Sequence, residues 1–70
     1  MWSQGTIDSY AYWVKHYEET SQFGIDGGKI SKLSIRKNGK ELYNYDRGLD
    51  FNKLDASGRL VFATLLEKYN

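Results

Sequence analysis

The sequence predicts an α+β domain: a four-stranded antiparallel meander with one C-terminal helix packed on one face, in the order ββββα. Three observations carry this expectation. The stretch "YAYWVKHY", Tyr10 to Tyr17, is β-branched and aromatic, the strongest strand signal in the chain. Asn38-Gly39, a favoured two-residue hairpin pair, separates the alternating run "KISKLSIRK" from "ELYNYDR". Past Gly48 the apolar period changes, and Val61, Phe62, Leu65, Leu66 and Tyr69 recur at three- and four-residue spacing, a helical stripe.

In chain order, Gln4 to Asp8 reads as the first strand, followed by a tight turn at Asp8-Ser9 and the second strand over Tyr10 to Tyr17. Polar residues and glycines in "EETSQFGIDGG" mark a loop. The third strand covers Lys29 to Lys37 and the fourth Glu41 to Arg47. Asp55 is the predicted helix N-cap, because its carboxylate can accept orphan N–H groups of the first turn. Gly58 inside the helix costs roughly 1 kcal/mol relative to alanine, which suggests a close backbone approach to the sheet. A helix from Asp55 to Tyr69 is about 21 Å long and a seven-residue strand about 23 Å, so one helix can lie across one sheet face.

The chain has 70 residues, enough for one domain over residues 1–70 but near the lower limit for independent folding. Aromatic residues make up 16% of it, and each buried ring removes roughly 150–250 Å² from water, which offsets the small size. There is no cysteine, hence no disulfide frame and no thiolate metal site. No run approaches the length of a membrane helix, and the expected setting is cytoplasmic, with no membrane partner. Net charge is only +1, so no global field draws in nucleic acid, yet Lys29, Lys32, Arg36, Lys37 and Lys40 fall close together.

The stretch "FGIDGGKISKL" superficially resembles a phosphate-binding loop. Phe23 stands where the first glycine belongs, Ile30 separates Lys29 from Ser31, and a strand rather than a helix follows. Gly24, Gly27 and Gly28 are instead expected to give a surface loop positive φ where it turns back into the third strand. His16 is the only histidine and has no partner at ligand or catalytic spacing. Asp46 and Asp50 bracket Arg47-Gly48 and read as strand-end caps and an ion pair. No catalytic residue, metal ligand or cofactor is therefore expected, and an enzyme is the least favoured class.

The aromatic pattern is more informative. With a two-residue turn at Asn38-Gly39, Ile35 lies opposite Leu42 and Arg36 opposite Glu41. One face then carries Leu33, Ile35 and Leu42, and the other Lys32, Arg36, Tyr43, Tyr45 and Arg47. In the first hairpin Ile7, Tyr12 and Val14 share a face, while Trp2, Trp13 and Tyr17 point the opposite way. If Lys37-Asn38-Gly39 instead forms a three-residue turn with a bulge, the register slips by one and Tyr43 and Tyr45 join Leu33 and Ile35 in the core. Either way both sheet faces carry rings, and only one helix is available to cover them. Aromatic residues interleaved with Lys and Arg suit a protein interface or a single-stranded nucleic-acid platform. The candidate contact residues are Trp13, Lys32, Arg36, Tyr43, Tyr45 and Arg47, with the loop of Gly24, Gly27 and Gly28 beside them.

The blocks "GTID", "YWVKHYEE", "FGIDGGKISKL" and "NYDRGLD", with a closing "KYN", resemble a family of small uncharacterised proteins from Firmicutes bacteria and their phages and integrative elements. The resemblance spans nearly the whole chain, although that family prefers Trp at the position of Leu49 and Gly at that of Ser9. The family has no assigned activity and so implies no site residue. It does imply a mobile-element setting, in which one-domain proteins bind host proteins or protein–nucleic acid complexes, inhibitors of bacterial immunity such as anti-CRISPR proteins among them. The function expected is stoichiometric, non-enzymatic binding. The alternatives are a small single-stranded nucleic-acid binder using the same face, and a homodimer that packs these faces together.

Overall fold

A computed structural model describes residues 1–70 in full. Five strands form one antiparallel sheet in sequential order: β1 (Trp2–Ile7), β2 (Tyr10–His16), β3 (Ile30–Lys37), β4 (Lys40–Asp46) and β5 (Leu49–Asn52). The helix α1 (Ala56–Tyr69) follows and lies on one face, against β2 and β3. The α+β class and the C-terminal helix are as the sequence predicts, but the sheet has five strands rather than four. The missed strand, "LDFN", is short and contains a bulge. Asp50 is the extra residue, since Asn44 stands opposite Phe51 while Tyr45 stands opposite Leu49. A four-residue run gives little alternation to read, and β4 alone supplies its pairing.

Local signals place the rest. Asp8 and Ser9 have φ of 48° and 73°, and Asn38 and Gly39 have 53° and 78°, so both hairpins turn through two left-handed residues. Asp55 caps α1 by accepting the Gly58 N–H at 2.7 Å. Gly58 is buried, but not for the reason the sequence suggests. A Cβ there would meet Asp55 Oδ1 at 2.9 Å and Leu54 Cδ2 at 3.0 Å, so the close approach is to the cap rather than to the sheet.

The core lies wholly between sheet and helix. It consists of Tyr10, Tyr12, Val14, Ile30, Leu33, Ile35 and Tyr43 from the strands, Ile25 from the loop, and Leu54, Val61 and Leu65 from the helix side. Phe62, Leu66 and Tyr69 complete the helical stripe at its margins. The other sheet face has no cover.

The register at the second hairpin decides which residues that face presents. Lys37 pairs with Lys40 and Arg36 with Glu41, as a two-residue turn requires, but Ile35 then stands opposite Tyr43 and Leu33 opposite Tyr45. Leu42 is a bulge. Both sequence-level alternatives are thus partly realised: the turn has two residues, and the register still slips. From the bulge onward, the residues of β4 exchange faces. Tyr43 goes under the helix, and Asn44 and Asp46 come to the open side.

Candidate interaction face

The open face follows from the cross-strand register. Three rows cross it: Trp2, Lys15, Lys32 and Asp46; then Gln4, Trp13, Ser34, Asn44 and Phe51; then Thr6, Ala11, Arg36 and Glu41. Trp13 stands in the middle row on β2, 40% exposed, and Trp2 beside it on β1 is 58% exposed. The rings and the polar residues around them wall a shallow depression of about 510 Å³. Cations stack on the rings: Arg36 lies 5.8 Å from the Trp13 ring centre, and Lys15 lies 5.8 Å from Trp2 and 5.7 Å from Tyr17.

The cations of β3 are neutralised across the strand. Lys32 Nζ is 3.6 Å from Asp46 Oδ1, and the Arg36 guanidinium is 3.6 Å from Glu41 Oε2. Glu41 also accepts a hydrogen bond from the Ser34 hydroxyl. Asn44 Nδ2 donates to Asp50 Oδ2 at 3.0 Å. The β1–β2 side of the face therefore carries two indole rings, flanked across β3 and β4 by a mosaic of paired polar groups. The Lys32–Asp46 pair exists because the Leu42 bulge brings Asp46, not Tyr45, opposite Lys32.

The predicted contact residues divide accordingly. Trp13, Lys32 and Arg36 share the open face. Tyr43 does not: it is 3% exposed, with its ring 4.9 Å from Phe62 under the helix. Burial pushes its phenol up to about 12. Tyr45 is half-buried against the core, and its hydroxyl donates to the Phe23 carbonyl at 2.8 Å, so it ties down the glycine loop rather than offering its ring on the open side. Both tyrosines are corrected from candidate contacts to packing residues, because the bulge turns them over. Arg47 lies past the end of β4 in the turn to β5, exposed, its guanidinium 5.4 Å from the exposed Phe23 ring.

The glycine loop is an internally bonded turn. Gly24 N donates to Ser21 O, Gly27 N to Gly24 O, Gly28 N to Ile25 O and Ser21 N to Gly28 O, all at 2.8–3.0 Å. Those amides are used within the loop and do not converge outward as an anion cradle would require. Of the three glycines only Gly27 has positive φ, 67°. Gly24 and Gly28 are required by crowding instead: a Cβ on Gly24 would strike the Gly28 carbonyl, and one on Gly28 the Asn70 side chain. Asn70 clasps the loop from the end of the helix, accepting from Ile30 N at 2.9 Å and donating to Ile25 O at 3.0 Å.

His16 acquires a partner that its sequence position does not disclose. Its Nε2 is 2.9 Å from Ser3 Oγ, across β1 and β2, and its ring stacks 4.7 Å from that of Tyr69. A nucleophile-type hydroxyl and a base are thus within reach, but no carboxylate bonds the other ring nitrogen to orient it, as a triad requires. Burial holds the imidazole below its ordinary pKa. No cluster of three or more His, Cys, Asp or Glu side chains is placed to hold a metal ion, and no helix is long and apolar enough to cross a membrane.

The fold and this face define a small α+β domain with one sheet surface left uncovered. The chain belongs to the DUF7678 family, a domain of unknown function, whose model matches residues 1–70. No curated protein and no solved structure matches it.

Proposed function

We propose that this domain is a non-enzymatic binding protein that acts stoichiometrically, docking a host protein on the open sheet face. One observation carries the reading: Trp13 is 40% exposed on β2 in the middle row of the open face, beside Trp2, with the β3 cations Lys32 and Arg36 already paired. Exposed indole rings flanked by paired polar groups are the arrangement of a protein hot spot. Pairing also lowers the cost of covering those charges, since neither member is left alone when water is excluded. The resemblance of the sequence to small proteins of phages and integrative elements supplies the setting, in which inhibitors of bacterial immunity are one class of such binders. Trp13→Ser should abolish capture of the partner from a host lysate while leaving the fold intact by circular dichroism. Capture unaffected by that substitution would refute the reading.

A second reading, single-stranded nucleic-acid binding, is favoured by one end of the same face. There Lys15 and Arg47 have no carboxylate within ion-pair distance and lie against the exposed rings of Tyr17 and Phe23. It predicts an affinity that falls steeply with salt as counterions are released. Fluorescence anisotropy with a labelled oligonucleotide at about 50 mM salt decides the matter, and a flat titration eliminates it.

A further inference from the structure

The free edge of β1 has a property that the open face does not explain. Met1 and His16 exchange both backbone hydrogen bonds, Met1 N to His16 O at 3.1 Å and His16 N to Met1 O at 2.9 Å. In an antiparallel ladder such two-way pairs alternate with residues whose polar groups point away. The register of β1 on β2 runs unbroken from Trp2↔Lys15 to Ile7↔Tyr10. Ser3, Gly5 and Ile7 therefore bond inward to β2, and the N–H and C=O groups of Trp2, Gln4 and Thr6 point off the edge of the sheet.

Sheet edges are ordinarily blunted by shortness, charge, proline or a bulge. The opposite edge, β5, has three such devices: four residues, a bulge at Asp50 and Lys53 directly after it. β1 has none, being six residues, "WSQGTI", without charge, proline or register shift. The contrast between the two edges makes β1 a pairing strand.

We infer that β1 pairs antiparallel with β1 of a second copy of this chain, about a two-fold axis at Gln4. Two features select a second copy over a foreign strand. The outward groups are placed evenly about Gln4, so the axis sets Gln4 opposite Gln4 and Trp2 opposite Thr6 of the second copy, and every outward N–H and C=O finds a partner. The strand carries no charge, so two identical edges meet without like-charge repulsion. Residues opposite one another in such a ladder share a sheet face. The two five-stranded sheets would thus join into one of ten strands, with both helices on one side and both open faces on the other. This goes beyond the proposed function, which needs only one copy of the open face.

Sedimentation equilibrium of the full chain, from about 10 µM to about 1 mM, should show the mass rising from 8.1 kDa towards twice that value. A constant 8.1 kDa throughout overturns the inference. Gln4→Lys and Gln4→Glu place like charges at the axis and should each weaken association about fivefold or more, and an equimolar mixture of the two should regain it. Gln4→Pro removes an outward N–H that β2 does not use and should abolish association while circular dichroism remains native. Dimerisation unchanged in both charge variants, or a mixture no heavier than its components, would show that another surface is responsible. Trp13→Ser should leave the mass behaviour intact, so loss of partner capture and loss of pairing are separable results.

Discussion

The hydroxyl of Tyr10 donates to Asp55 Oδ1 at 2.6 Å, and the same oxygen accepts the Gly58 N–H at 2.7 Å. A residue buried at the start of β2 thereby holds the N-cap of a helix 45 positions further along. The bond from Tyr10, and then that from Gly58, holds the Asp55 carboxyl below its ordinary pKa, while acceptance by Asp55 pushes the Tyr10 phenol up. Sheet and helix share one polar fastening point at their junction.

Tyr10→Phe tests this fastening. It deletes one charge-assisted hydrogen bond and should lower Tm by about 4–8 °C. Because the folded pKa of Asp55 is depressed, its contribution is complete above the unfolded carboxylate value of about 3.9 and is lost as pH falls through the folded value. Urea midpoints between about pH 2 and 6 should therefore fall less steeply on acidification in Tyr10→Phe than in the parent. Identical acid limbs would mean that the bond has no thermodynamic weight.

Tyr43 makes the opposite prediction at high pH. Its folded value of about 12 lies above the unfolded value of about 10, so its contribution is complete below about pH 10 and is lost as pH rises towards 12. Tyr43→Phe should match the parent near neutrality and resist alkaline unfolding better. Tyr43→Ser, by contrast, removes a core ring and should cost about 3–5 kcal/mol, much of the stability of so small a domain. Chemical denaturation at neutral and alkaline pH tests both, and a small loss for Tyr43→Ser would contradict its placement under the helix.

Much of this architecture is legible in the sequence, and the failures in β4 and β5 share one physical cause. Asp8-Ser9 and Asn38-Gly39 announce their turns through local backbone chemistry, and Asp55 announces its cap in the same way. Trp2, Trp13 and Tyr17 follow from simple alternation in the first hairpin. A bulge is different, because its position is set by what the sheet must bury. Leu42 can be extra because two tyrosines then pack on Leu33, Ile35 and Phe62, a gain that no local pattern encodes. The same displacement hides the Lys32–Asp46 pair and the conversion of a basic strip into a mosaic. The Ser3–His16 contact is a cross-strand meeting of the same kind, visible only once β1 and β2 are in register.

His16 gives a third prediction. Burial keeps the native imidazole neutral below its ordinary pKa of about 6.5, so its contribution is complete above that value and is lost as pH falls through the folded one. The imidazole proton resonances should titrate with a midpoint below 6.5, and the urea midpoint should decline on the acid side of that pH. A midpoint at or above the ordinary value would place the ring in solvent.

The Asn70 clasp gives a fourth. Asn70→Ala leaves the Ile30 N–H and the Ile25 carbonyl without their partners and should cost about 1–3 kcal/mol. Hydrogen exchange at Ile30 should accelerate by more than exchange at Leu33 or Ile35 in the centre of β3. Equal acceleration across the strand would indicate global destabilisation instead.

Each strand pairs only with its neighbours in the chain, from β1 through to β5. Ribbon formation can therefore proceed stepwise through short loop closures, each inexpensive in chain entropy, and such local topologies reach the native state quickly. The expensive late event is the return of the last segment over β2 and β3, where Tyr10 and Asn70 secure its two ends. Before that docking both surfaces of the ribbon stand wet and ring-studded, so the interval during synthesis when α1 is still within the ribosome is the time of greatest hazard for clumping.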